Sequence, residues 1–176
     1  MQPHLLIPAR LDDAKRLAAM SHELVEAGLK PSWGATRIAW HIRDPESVVL
    51  TARVRGQPEG FAIMRYADET AHLNLLAVTP AHRRRGIGRA LIGWLEETAV
   101  TAGTFKISLE LRTGNLAARA FYAALGYQEG AEVFGYYQGV ESALRMTRDL
   151  RTPHETPGAS QPRPLERPKA PDADRS

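Results

Sequence analysis

At 176 residues the chain has room for one domain with a buried core, and 23 basic against 20 acidic residues leave a net charge of +3, which excludes the global positive field of a nucleic-acid-binding protein. The absence of cysteine excludes disulfides, thiolate zinc sites and a sulfur nucleophile on the protein, so any thiol chemistry must arrive with a ligand. No apolar run approaches membrane-spanning length and "MQPHLLIPARLDD" lacks the layout of a signal peptide, so the expectation is a cytoplasmic protein with no membrane partner.

In chain order, "DDAKRLAAMSHELVEAGL" sets Leu17, Met20, Leu24 and Val25 near helical spacing, with Asp12 or Asp13 able to cap the start, and predicts a first helix. "GATRIAWHIRD" predicts a shorter second helix stopped before Pro45. "SVVLTARV", "GFAIMRYA" and "AHLNLLAV" read as three strands, and the connections "RGQPEG" and "DET" imply an antiparallel meander. Ile87, Leu91, Trp94, Leu95 and Thr98 then share one helical face, so a helix of about four turns begins inside the stretch "RRRGIG". "FKISLELR" alternates, with Phe105, Ile107, Leu109 and Leu111 on one face and Lys106, Ser108, Glu110 and Arg112 on the other. Another helix follows from Asn115, a suitable N-cap, with Ala118, Phe121, Tyr122 and Leu125 on one face and Gly126 as its stop. "YQEGAEVFGYY" and "SALRMTRDL" supply two last strands.

After Leu150 the composition changes: residues 151–176 hold half of the twelve prolines and almost nothing apolar. Such a segment cannot repay the entropy of ordering itself. Residues 1–150 therefore read as one domain and 151–176 as a disordered Pro-rich tail, with a docking peptide for a partner as the alternative.

The strand-to-helix corner at Arg83, Arg84, Arg85, Gly86, Ile87 and Gly88 carries the first chemical reading. A helix N-terminus presents unpaired N–H groups and the positive end of a dipole, and glycines let an anion approach the backbone, so a phosphate is the natural guest. The stretch contains no GxxxxGK[ST], and "GIGRAL" breaks GxGxxG at its last glycine, which supports neither a nucleotide triphosphatase nor a standard dinucleotide fold. A solvated arginine cluster is the alternative.

"LLAVTPAHRRRGIGRALI" resembles the acetyl-CoA-binding motif of the GCN5-related N-acetyltransferase (GNAT) superfamily, Q/R-x-x-G-x-G/A, with Arg83, Gly86 and Gly88 at its fixed positions. Downstream, "LELRTGNLAARAFYAALGY", "FGYY" and "ESALRMTRDL" are similar to the branch that acetylates ribosomal-protein N-terminal alanine. The resemblance implies an α/β (α+β) fold, a mixed twisted sheet of six or seven strands with about four helices, splayed between strands four and five. It implies acetyl-CoA as cosubstrate. The backbone of Leu76, Ala77 and Val78 would pair with the pantetheine arm, the amides from Arg84 to Arg89 would wrap the pyrophosphate, and Asn115 would contact the cofactor or serve only as an N-cap.

Acetyl transfer to an amine needs a base for the attacking nitrogen and an acid for the departing thiolate. By resemblance Glu110 is the base, through water, and Tyr122 the acid; the alternatives are a strand carboxylate paired to Arg112 and a core aromatic. The backbone N–H near Val78 is the expected oxyanion donor. The six histidines show no ligand spacing, so no metal is expected. A free α-amine has a pKa near 8 and lysine near 10.4, so deprotonating lysine costs about 3 kcal/mol more, which favours a peptide or protein N-terminus as acceptor. Tyr136 and Tyr137 match tyrosines that line the peptide-end pocket in that branch, or form a strand-face aromatic pair. The first two helices would form the acceptor wall, with Trp33 and Trp40 either shaping it or only packing. A small amine as acceptor and a catalytically silent acetyl-CoA-binding module are the alternative functions.

Overall fold

The computed structural model describes residues 3–153, so the expectation of a tail falls almost entirely outside the described residues. One sheet is built from β1 (Leu5–Pro8), β2 (Ser47–Val54), β3 (Gln57–Tyr66), β4 (Thr70–Val78), β5 (Lys106–Arg112), β6 (Gln128–Tyr137) and β7 (Glu141–Asp149), in the spatial order β1-β2-β3-β4-β5-β7-β6. The helices α1 (Ala14–Leu24), α2 (Ala35–Arg43), α3 (Ile87–Thr101) and α4 (Leu116–Ala124) cover it. Among the described residues only β4 and β5 pair in parallel; the other neighbours are antiparallel. This is the mixed α/β sheet with four helices that the sequence leads one to expect.

Three local details differ from the sequence reading. β1 carries no sequence signal, being four residues closed by Pro8, which has no N–H to give a ladder and is tolerated at a sheet edge. Asp13 does not cap α1 with its side chain; it sits in a 3-10 turn (Leu11–Asp13), accepts the Arg10 N–H at 2.7 Å and pairs with Arg53 of β2. The β2–β3 turn is not the six residues of "RGQPEG" but Arg55 and Gly56, both at positive φ (51° and 81°), with Pro58 taken into β3 at a register shift.

Both faces of β2 and β3 are covered, which is why they read as continuous apolar runs. Phe61 and Ile63 pack with Leu17, Met20 and Ile38 under α1 and α2, while Ala62 and Met64 pack with Leu91 and Leu95 under α3. In β4 this alternation is broken. Ala71 and Leu73 join the α3 side, whereas Leu75 and Ala77, of the same parity, join the α1 side. The faces swap because the β3–β4 register slips between Met64↔Leu73 and Ile63↔Leu75, leaving Asn74 as one extra residue, a β-bulge.

The same residue ends the pairing with β5. The parallel ladder runs from Thr70↔Lys106 to Leu73↔Leu109 and stops, while β5 continues against β7 as far as Arg112↔Ala143. From Asn74 to Val78, β4 has β3 on one side and no strand on the other. This is the splay expected between the strands ending at Val78 and Arg112, and Glu110, Asn115, Tyr122, Tyr136 and Tyr137 line the space it leaves.

Candidate active site

The chain leaves the open half of β4 at Val78 and turns through a 3-10 segment (Pro80–His82) into α3. In that turn Arg84 has φ 59° and Gly86, the N-cap of α3, has φ 81°. Left-handed residues alternating with ordinary ones point successive N–H groups into one concavity, the geometry of an anion nest, and a non-glycine held there is strain found at functional positions. The first helical bond of α3 is Ala90 N–H to Gly86 O at 2.9 Å, so the N–H groups of Ile87, Gly88 and Arg89 lack helical partners. The side chains of Arg83, Arg84, Arg85 and Arg89 are exposed and, among the described residues, form no ion pair.

The two glycines differ in what they do. A Cβ on Gly86 would meet nothing within 4 Å, so its requirement is conformational; a Cβ on Gly88 would stand 3.2 Å from Phe121 Cζ, so its requirement is packing against α4. Arg83 is already engaged, its Nε donating to Val78 O at 3.1 Å on the open side of β4, whereas Ala77 O lies toward β3, 3.3 Å from a Cβ built on Gly60. Backbone groups alternate sides along a strand, so those of Leu76 and Val78 face the gap and those of Ala77 serve β3.

A cavity of about 400 Å³ runs through the splay, from the α1–α2 connection to α4. Glu110 and Tyr122 both line it, as do Asn115, Tyr136 and Tyr137. Neighbouring strand residues normally face opposite ways; here the β6–β7 register shifts between Val133 and Tyr137, with Gly135 at φ 65°, and both tyrosines reach the cavity with their rings in an edge contact at 5.0 Å. Asn115 Oδ1 accepts the Ala118 N–H at 3.1 Å, the N-cap expected of it, and still lines the cavity. Trp33 is part of the wall, while Trp40 is exposed on the outer side of α2 beside Arg65.

The cavity is roofed. Gln138, at the tip of the β6–β7 hairpin, pairs like a backbone strand with Lys30 of the α1–α2 connection: Lys30 N–H donates to Oε1 at 3.1 Å and Nε2 donates to Lys30 O at 2.6 Å. Arg112 Nη1 adds a bond to Ala27 O at 2.8 Å. Beneath them the buried Glu26 carboxylate holds the connection in place by accepting from Ser32 N, Ser32 Oγ and Trp33 N.

Glu110 is not the partner of Arg112, which instead lies 3.6 Å from Glu141. Its carboxylate is hydrogen-bonded to His72 Nε2 across the end of the β4–β5 ladder and to Arg145 Nε at 3.0 Å. His72 Nδ1 lies 2.7 Å from Asn74 Oδ1, so both ring nitrogens face acceptors. The hydrogen bond to Glu110 raises the His72 pKa above its ordinary value against the opposing effect of burial, and the same bond lowers that of Glu110. The bond therefore favours the charged form of each partner, and the pair accepts a proton once the imidazole is neutral. Sequence reasoning missed His72. The signal was the polar-apolar-polar order His72, Leu73, Asn74 in a strand otherwise apolar, with the two polar residues aimed at a face that helices should cover.

Tyr122 is 7% exposed, packed edge-on against Phe121 and Tyr127 at 5.1 and 5.5 Å, and its pKa is pushed strongly up by burial and then by Tyr137. It keeps its proton at any physiological pH and is a donor. Burial likewise pushes Tyr137 up to about 12.

The sequence model of the acetyltransferase (GNAT) family matches residues 14–127. The ribosomal protein bS18-alanine N-acetyltransferase of Salmonella typhimurium is 39% identical over 89 residues, 49% of this chain and 60% of that protein. The crystal structure of the ribosomal-protein-S18-alanine N-acetyltransferase from Escherichia coli superposes with a TM-score of 0.74 at 25% identity, covering 87% of this chain and 97% of that one. Ard1 from Thermoplasma volcanium gives 0.75 at 25% identity, covering 84% and 97%.

Proposed function

The chain belongs to the acetyltransferase (GNAT) family, and from that premise we propose that it transfers the acetyl group of acetyl-CoA to the N-terminal amine of a peptide or protein. The observation that carries the reading is the splay itself, with a proton-accepting pair on one side, a buried phenol on the other and an anion nest at the start of the adjoining helix. The bulge at Asn74 leaves strand backbone free to pair with an extended ligand arm, and Arg84 to Arg89 offer unpartnered amides to a pyrophosphate, so the residues fit the cosubstrate. When bound, acetyl-CoA supplies the activated acetyl thioester.

The chain's own residues supply the proton movements. An ammonium group cannot attack, so the His72–Glu110 pair takes the proton from the entering amine, directly or through water, acting as one titrating unit. Tyr122 donates its hydrogen bond toward the departing sulfur. The Val78 N–H, on the open side of β4, is placed to receive the negative oxygen that develops during attack. Leu76 and Val78 hold the pantetheine arm, Arg83 exchanges its bond to Val78 O for the phosphates, and Asn115 borders the cofactor.

The roof favours a chain end over a side chain. With Gln138 and Lys30 joined over the cavity, an extended N-terminus can be threaded in end-on, whereas a lysine in mid-chain would have to lay its backbone across the closed bridge. The α-amine is also the easier group to neutralise near pH 7. The deciding experiment is acetyl-CoA turnover measured against short peptides with different N-terminal residues beside a panel of small amines and an N-blocked lysine peptide. Turnover concentrated on free peptide N-termini is the expected result, and turnover only of small amines or of the blocked peptide would overturn the reading.

A further inference from the structure

Five charged side chains line the cavity: Glu26, Arg37, His72, Glu110 and Arg112. Four are already answered. Glu26 is surrounded by donors from Ser32 and Trp33, His72 and Glu110 hold one another, and Arg112 donates to Ala27 O and faces the Glu141 carboxylate, with only its buried Nη2 left without a hydrogen bond. Arg37, on α2, is different. Its guanidinium lies over the Trp33 ring, with Cζ 3.8 Å from the centroid, and its one hydrogen bond among the described residues is a long contact of 3.4 Å from Nη1 to Ser32 O. Among the described residues it pairs with no carboxylate.

A guanidinium stacked on an indole is pinned in position while its N–H donors point outward around the rim, a geometry suited to a carboxylate fork. Arg37 lines the same cavity as Trp33, Tyr136 and Glu110. An acceptor whose amine reaches the His72–Glu110 pair therefore has its next residues inside a lining that includes Arg37.

Building on the peptide reading above, we infer that Arg37 selects acceptor chains carrying an acidic side chain in the residues directly after the acetylated one. Trp33 is the platform that keeps the guanidinium from folding back to solvent, so binding loses little side-chain entropy. Arg37 acts on recognition and not on the acetyl transfer itself, and its effect belongs in KM.

The test compares peptides that differ only at positions two and three, Asp or Glu against Gln or Asn, with kcat/KM taken for the native protein, Arg37→Gln and Arg37→Glu. The native protein should prefer the acidic peptide by about two- to fivefold, the range spanned by exposed charge pairs, and the preference should shrink with added salt. In Arg37→Gln the ratio should fall to near one, and Arg37→Glu should favour a Lys-bearing peptide. A native ratio of one, or a ratio that survives both substitutions, would overturn the inference while leaving peptide acetylation intact. Failure to turn over any peptide while a small amine is acetylated would overturn the peptide reading and the inference with it.

Discussion

His72, one residue before the last rung of the β4–β5 ladder, is bonded to Glu110, one residue beyond it, and each moves the other's pKa: the histidine up, the carboxylate down. An imidazolium cannot accept a proton, so activity on an amine should rise as pH climbs through the raised His72 pKa, above the ordinary value of 6.5. Glu110→Gln removes the main cause of that rise. Its acidic limb in kcat/KM should move to lower pH while kcat falls by about 10²–10⁴-fold, most severely at low pH where the amine is charged, and partly recovers as free amine appears. Near-native kcat across the pH range in the folded variant would mean the pair is only structural.

The same pair makes stability depend on pH with a definite sign. His72, raised in the folded state, contributes fully below its ordinary 6.5, and that contribution is lost as pH rises through the folded value; Glu110, lowered, contributes above its ordinary 4.5 and loses this as pH falls through its folded value. The excess in melting temperature of the native protein over His72→Gln should therefore be greatest between about 4.5 and 6.5 and shrink on both sides. A difference that is flat with pH would contradict the coupling.

Tyr122→Phe deletes one hydroxyl and keeps the ring that packs on Phe121 and Tyr127. The expected result is a kcat lowered by about 10²-fold or more with acetyl-CoA affinity nearly unchanged, read by steady-state kinetics and calorimetry together.

Gly86→Asp and Gly88→Asp should both abolish acetyl-CoA binding, for separable reasons. At Gly86 the φ of 81° resists a side chain and a carboxylate would enter the nest; at Gly88 the Cβ would press on Phe121 and tilt α3 against α4. Arg83→Ala should weaken binding less, because the amides remain. Calorimetry giving unchanged affinity for folded Gly86→Asp would remove the pyrophosphate from this corner.

Gln138→Ala cuts both bonds to Lys30 and opens the roof. The N-terminal preference should loosen, with KM for the best peptide rising and turnover of an N-blocked lysine peptide appearing. An unchanged selectivity profile would show that the roof does not choose the acceptor.

Much of this was legible in the sequence because it rests on local chemistry. The helices, the Asn115 cap, the Arg/Gly corner and the alternation that aims Glu110 away from the core are all short-range patterns. What escaped depends on pairing between distant segments. The His72–Glu110 bond spans 38 positions and the Gln138–Lys30 bridge 108, and no local period carries either. Arg112 was the near neighbour that seemed to answer Glu110, yet the answer came from the adjacent strands. β1 escaped for another reason, since four residues ending in proline show no alternation to read.

The bulge at Asn74 also has a consequence for solvent exchange. β4 is an interior strand, yet from Asn74 to Val78 its amides alternate between those bonded to β3 and those facing the gap with no strand to meet them. In deuterated water this central strand should show slow and fast amides in alternation, with Leu76 and Val78 among the fast. A bound pantetheine arm would slow those same amides, so exchange at two residues reports occupancy of the cleft in any variant, including those that no longer turn over.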